Sequence, residues 1–401
     1  MSSSNRGVLR EINWNEICPW LILVRALRVS LMVRVLVLAL VGVLLTQWGW
    51  AGLTRLFSLD EGVLSRITVE SQRLTGETFI GLLESGPLLR AWNWLSSPIT
   101  ELLLKNQGWR QCLALVLCGV WTVIVWGLLG GAISRIAALY LTRGEAPGPV
   151  VALRSTLPRW GSIVLAPLIP GAVVVLIMAL LAAVGLVARF DFPMLIVGLA
   201  WGFVLVWGFL LAVIVIGLMV GWPLMWATIS VERTDAFDGV SRCYAYVYQR
   251  PLQLMFYVLL ASLLGNLGAA LVQLFASATV LLAEWAVGLG AGYERMGLLT
   301  AKPTEELGGM VNSGMIALRF WKSTVLTLAA SFSLAYLWSA AVGIYLLLRR
   351  HVDSTELDEV ALEENELGEG LPPLEPHSSG VPSVESPAAE DAPDPEGSDD
   401  P

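Results

Sequence analysis

The sequence predicts an all-α, polytopic transmembrane bundle of about six spans, with interfacial helices and a disordered acidic C-terminal tail. Three observations predict it. The chain is 56% hydrophobic and 14% charged over 401 residues, where a soluble domain carries about 25% charge. Its apolar residues fall in stretches of about 20 or more, the length that crosses a ~30 Å hydrocarbon core. Its charge is segregated: 16 of the 33 acids lie in Asp353–Pro401, which has no Lys or Arg. The remaining 352 residues hold 25 bases against 17 acids, so a basic membrane body carries an acidic tail.

Taken in order, residues 1–31 form a leader containing Arg6, Arg10, Arg25 and Arg28. Within "PWLILVRALRVSLMVR", Arg25, Arg28 and Arg34 recur among apolar residues. That pattern suits an interfacial helix whose arginines reach lipid headgroups; the alternative is that it extends the first span. No small-residue cleavage site follows, so the first span reads as a retained signal-anchor. The bundle occupies residues 32–348, with spans near Met32–Leu53, Leu113–Ile133, Ile163–Val187, Met194–Met225, Leu252–Ala283 and Trp321–Leu348. Seven or eight spans are the alternatives. The fourth and fifth are over-long, roughly 45–48 Å at about 1.5 Å per residue. Tilt, extension beyond the bilayer, or a break in the fifth at Gly265-Asn266-Leu267-Gly268 would each accommodate that.

The outer loop 54–111 is apolar in bursts divided by Pro87 and Pro98, which suggests short helices lying on or packed over the bundle. Trp20, Trp48, Trp50, Trp109, Trp160, Trp222, Trp226, Trp285 and Trp321 fall near span ends, where indole is expected at the interface. With the leader inside, 14 bases lie on the inner side against 11 outside, so both termini are expected in the cytoplasm.

Between the fourth span, ended by Gly221-Trp222-Pro223, and the fifth, begun by Arg250-Pro251, lies the most polar internal stretch. Phe237, Val240, Tyr244, Val247 and Tyr248 recur at helical spacing there. Thr234 or Asp235 is placed to cap, Asp238 sits in the first turn, and Asp238 with Arg242 makes an i,i+4 pair. Residues 230–251 are therefore expected to form a cytoplasmic amphipathic helix. Its candidate functional or gating residues are Glu232, Asp235, Asp238, Arg242, Tyr244, Tyr246, Tyr248 and Arg250. Three readings stand: a membrane re-entry element, a gate at a cavity mouth, or a docking surface for a protein.

Helix packing is expected at the GxxxG pairs Gly127/Gly131, Gly198/Gly202 and Gly217/Gly221, and at Gly130. Glu284, beside Trp285, is expected at the outer interface. Cys18, Cys112, Cys118 and Cys243 have no framework spacing and read as small apolar fillers. His351 and His377 lie beyond the last span, and no nucleophile–base pair or ligand set is visible. No catalytic residue, metal or cofactor is therefore expected. From Asp353 onward the acids and prolines predict disorder, with a short helix over Ser354–Asn365 as an option.

"PWLILVRALRVSL", "GGAISRIAALYL", "GWPLMWATISVERTDAFDGVSRCYAYVYQRPL" and "AVGIYLLLRRHVDSTELDEVALEE" resemble a family of multi-pass bacterial inner-membrane proteins without an assigned activity. More faintly, the Glu232, Ala236 and Ser241 pattern is similar to the membrane domain attached to some glycerophosphodiester phosphodiesterases, here without the enzyme domain. The resemblance implies an inner-membrane location and no reaction. The expected function is transport or support of a membrane or lipid process. The alternative is a scaffold or assembly factor that binds a protein through residues 230–251 or the tail. Membrane lipids are the expected partners, and nucleic acid is not.

Overall fold

The computed structural model describes residues 18–57, 86–104, 108–292, 296–297, 309–357 and 359–361, together with 375–376 and 382–383. Eleven α-helices are described: α1 (Ile22–Ser30), α2 (Val33–Leu56), α3 (Pro87–Leu104), α4 (Trp109–Arg143), α5 (Pro149–Thr156), α6 (Trp160–Val187), α7 (Asp191–Leu199), α8 (Trp201–Glu232), α9 (Ala236–Gln249), α10 (Pro251–Ala291) and α11 (Gly309–Val352). Six candidate spans are present among the described residues: α2, α4, α5 continued through a 3-10 turn into α6, α8, α10 and α11. The last span is the axis of the bundle. Its most apolar window is 78% buried, against 6% for α8.

Several helices run past the lengths expected. α4 continues through Arg135 to Arg143, where Gly144 at φ 78° closes it in the left-handed region. α8 begins only after the separate helix α7 and passes through Pro223 to Glu232. The proline does not end it because Leu224–Val231 are all buried, so packing on both sides holds the backbone helical. α10 is unbroken from Pro251 to Ala291. Gly265 and Gly268, the expected break, instead admit neighbours: a Cβ at Gly265 would lie 2.5 Å from Tyr336, and one at Gly268 would lie 2.9 Å from Phe332.

α1 is separate from the first span, divided from it by Met32 in extended conformation. Contacts within the protein hold it in place. Leu23, Ala26 and Val29 are fully buried and Arg25 donates to the Tyr140 carbonyl (3.1 Å). Arg34, in the first turn of α2, donates to the Ala146 and Pro147 carbonyls (2.5 and 3.1 Å). Arg28 is exposed.

Between α2 and α4, the described part of the long loop is one amphipathic helix, α3, packed on α4, α10 and α11. Pro98 sits inside it without breaking it. The ring removes the donor that would serve the Trp94 carbonyl, and the Ser97 hydroxyl donates there instead (2.8 Å). α3 carries Trp94 into a cluster of indoles. Trp50 and Trp94 have centroids 5.2 Å apart, Trp94 and Trp126 6.3 Å, Trp126 and Trp338 6.1 Å, and Trp226 stacks on Trp338 at 4.6 Å. Trp50 and Trp226 are thus fully buried and Trp222 packs edge-on against both Trp226 and Trp338, contrary to the interfacial role expected of them. Trp48, Trp109, Trp285 and Trp321 remain exposed.

Close approach comes from small residues. A Cβ at Gly130 would lie 2.8 Å from the Trp338 ring, at Gly131 2.8 Å from Thr156, and at Gly127 2.9 Å from Val164. Gly217 and Gly221 meet Tyr244 and Cys243 of α9. Gly198 and Gly202 have open space around them.

Residues 362–401 form a second unit. There, Glu375–Pro376 (β1) and Pro382–Ser383 (β2) pair antiparallel, with Glu375 opposite Ser383. The other residues of 362–401, expected to be disordered, lie outside the described residues.

Candidate functional site

One end of the bundle gathers α1, the α4–α5 connection, the end of α8, α9, the start of α10 and the end of α11. Its local structure follows from the α8–α9 turn. Arg233 closes α8 at φ 59°, an uncommon conformation for a residue with a Cβ, while its guanidinium donates to the Ser155 carbonyl (2.6 Å). Asp235 then caps α9, accepting from the Asp238 amide at 2.9 Å.

α9 docks on α8 with a face rotated from the expected stripe. Ala236, Gly239, Cys243, Tyr246 and Val247 are buried, whereas Phe237 is 70% exposed. Close approach decides this face, because Gly239 and Cys243 let the two backbones meet where Phe237 would hold them apart. Tyr244 and Tyr248 donate to the Ile214 and Val213 carbonyls of α8 (2.8 and 2.5 Å). Tyr246 donates to Asp353 at the end of α11. Asp238 and Arg242 pair only with each other among the described residues, at 3.1 Å and half exposed, and Arg250 is exposed.

The electrostatics agree with a docked helix. Burial pushes the Tyr244 phenol up to about 12. Burial, followed by the Asp353 carboxylate, raises Tyr246 further, and burial raises the Cys243 thiol. Burial works against the Arg242 charge, but its hydrogen bond to Asp238, together with the negative charge of Asp238 and the neighbouring Tyr345 and Glu232, outweighs it and holds the guanidinium above its ordinary value.

Two candidate residues, Tyr246 and Glu232, meet α11, with the Tyr246 ring 5.7 Å from that of Tyr345. Glu232 is the one that forms an ion pair there. It pairs with Arg349, and Tyr345 donates to the same carboxylate oxygen at 3.1 Å. Arg349 also donates to the Glu356 and Glu359 carbonyls (3.0 and 2.6 Å). Arg135, fully buried, donates to the Ser230 carbonyl of α8 (2.9 Å) and the Ala361 carbonyl (2.8 Å), while the Ala361 amide donates to Val231 (3.1 Å). The chain after α11 is therefore a docked strap through Ala361, with Leu357 and Val360 packed on the core. Neither disorder from Asp353 nor a helix from Ser354 describes it over residues 353–357 and 359–361. The strap is irregular over its described residues, and the Glu356, Glu359 and Ala361 carbonyls bond guanidiniums instead of closing helical turns.

Sequence reasoning found Glu232 and missed Arg135, Arg233, Tyr345 and Arg349. Gly144 carried the signal for Arg135. Extending α4 to that C-cap places Arg135 two turns inside the helix.

Two cavities flank this constellation. A polar one of about 420 Å³ is lined by Arg143, Glu232, Arg349, Glu359, Val360 and Ala361. An apolar crevice of about 430 Å³ lies between α3, α8, α10 and α11, with Leu89, Trp92, Met219, Leu224, Val258 and Ala341 among its walls. The hydroxyl of Ser262, which also lines it, is spent on the Val258 carbonyl (2.8 Å). Away from both, Glu284 pairs with Lys322 at 2.8 Å, flanked by exposed Trp285 and Trp321, as an interfacial band would require. No family model, curated protein or solved structure matches this chain.

Proposed function

We propose that this multi-pass membrane protein is a non-enzymatic component of a bacterial inner membrane, with its strap side in the cytoplasm, that binds the hydrocarbon chain of a lipid. The apolar crevice carries the reading. Its volume lies within the roughly 300–1,000 Å³ of small-molecule sites. Its walls are helices whose outer faces are themselves apolar, with Met219 and Leu89 both more than 45% exposed beside it. In a bilayer the medium at that mouth is acyl chain, and no buried polar group has to be desolvated for one to enter.

The test is photocrosslinking of the full chain, in native-lipid nanodiscs, to a phospholipid carrying a diazirine on its acyl chain. Ala341→Trp fills the crevice and Ser262→Leu narrows it with less disturbance. Labelling of the α3 and α8 wall peptides should fall in both. Unchanged labelling in two well-folded variants would sink the proposal.

A second reading, a protein-binding scaffold, draws on the fixed strap. Residues 362–401 carry 12 acids and no Lys or Arg, and they follow Ala361, whose amide and carbonyl are both bonded. A partner with a basic surface, lost from co-purification when residues 362–401 are deleted, would support it.

A further inference from the structure

We infer that the polar cavity under the strap is an oxyanion site, fitted to a phosphate group and partly occluded by the strap. The cavity lies beside the last turn of α11, where phospholipid headgroups border a span. Two guanidiniums line it. Arg349 is 2% exposed, and its Nε is buried with no hydrogen-bond partner among the described residues. Arg143 stands exposed at the rim. Unspent donor capacity on a buried guanidinium calls for an acceptor, and Arg presents a planar fork that matches the oxygens of phosphate.

Two carboxylates also line the cavity, and they set the strength of the site. Glu232 is already engaged by Arg349 and Tyr345. Glu359 belongs to the strap and is exposed. With both present, two positive charges face two negative ones. Neutralising or withdrawing Glu359 leaves an excess of positive charge. The strap carbonyls of Glu356 and Glu359, which accept from Arg349, occupy guanidinium valence that phosphate oxygens would otherwise take. The strap is thus a built-in competitor for the site.

The phosphate has two sources, a lipid headgroup and the free ion. Both are tested with the full chain in phosphatidylcholine nanodiscs, by native mass spectrometry with short-chain phosphatidic acid and by competition with inorganic phosphate. Bound phosphatidic acid should fall about tenfold in Arg143→Gln, the size of one charge-assisted hydrogen bond. It should rise in Glu359→Gln and stay level in Arg154→Gln, which removes an exposed arginine from the same end without touching the cavity. Displacement by inorganic phosphate would identify the free ion as sufficient; resistance to it would identify the headgroup. Binding indifferent to Arg143→Gln, or reduced equally by Arg154→Gln, would overturn the site in favour of general surface charge. The exposed positions of Arg143 and Glu359 keep these variants folded. The inference does not depend on the apolar crevice.

Discussion

Replacing Glu232 by glutamine should be among the most destabilising isosteric changes at the strap side. Glutamine keeps the volume and can still accept from Tyr345 and Arg349, so only the charge is removed. The Arg349 guanidinium, with its side chain 3% exposed, cannot deprotonate and is left with neutral acceptors. Removing one partner of a buried pair costs about 3–5 kcal/mol. The lower end applies here, because the Glu232 side chain is 20% exposed and water can partly replace it. About 3 kcal/mol corresponds to roughly a hundredfold shift in the folding equilibrium. Arg349→Met should also destabilise, because it releases the Glu356 and Glu359 carbonyls as well as Glu232. The double variant should be more stable than the sum of the two predicts, by about 2 kcal/mol, since exchanging both charges for neutral groups leaves no buried ion. Reversible SDS unfolding in mixed micelles, followed by tryptophan fluorescence, measures all four corners of the cycle. A Glu232→Gln variant within about 0.5 kcal/mol of wild type, or an additive cycle, would refute the claim that this pair is desolvated and coupled.

Gly217→Ala should cost about 1–3 kcal/mol in the same assay, because the new methyl overlaps the Tyr244 ring, while Gly202→Ala, in open space, should be neutral or slightly stabilising. Stability should also decline from about pH 10 to pH 12. Tyr244 titrates near 12 when folded and near 10 when unfolded, so the unfolded chain loses that proton first; its contribution is whole below pH 10 and shrinks above it. A thermal melting series should show a shallower alkaline decline for Tyr244→Phe, and identical slopes would contradict the docked phenol.

The spans were legible because hydrocarbon imposes a length and a composition, and six apolar stretches met both. Their ends were less so. Arg135 and Pro223 read as terminators by residue type, yet both lie inside helices, where a carbonyl partner or flanking packing supplies what the local rule assumes is missing. The face of α9 was misjudged for a similar reason. Periodicity ranks Phe237 above Gly239 by hydrophobicity, while helix contact ranks them by how closely backbones can approach. The cap at Asp235 and the Asp238–Arg242 pair are local and were read correctly. The strap was not legible, because it is held through its main chain. Guanidinium-to-carbonyl bonds leave no signature in the identities of Glu356, Glu359 or Ala361.

The chain contains 22 arginines and only three lysines, and at the strap side several of the arginines fill roles that suit a guanidinium. Among lipids, apolar side chains gain little by preferring one another to the acyl chains around them, so shape and hydrogen bonds must specify the bundle. In mid-span, indoles and glycines supply the shape. At the strap side the work falls to guanidiniums, each joining parts of the chain far apart in sequence. Arg135 links α8 to Ala361, Arg34 ties the first span to the Ala146–Pro147 turn, and Arg349 joins Glu232 to the strap. A lysine carries its three donors on one atom, whereas the guanidinium spreads five over a rigid planar fork, so it reaches acceptors set farther apart and in fixed directions. The same geometry that makes arginine a clamp for carbonyls makes it a receptor for phosphate. One set of residues can therefore hold the strap closed and present an anion site beneath it.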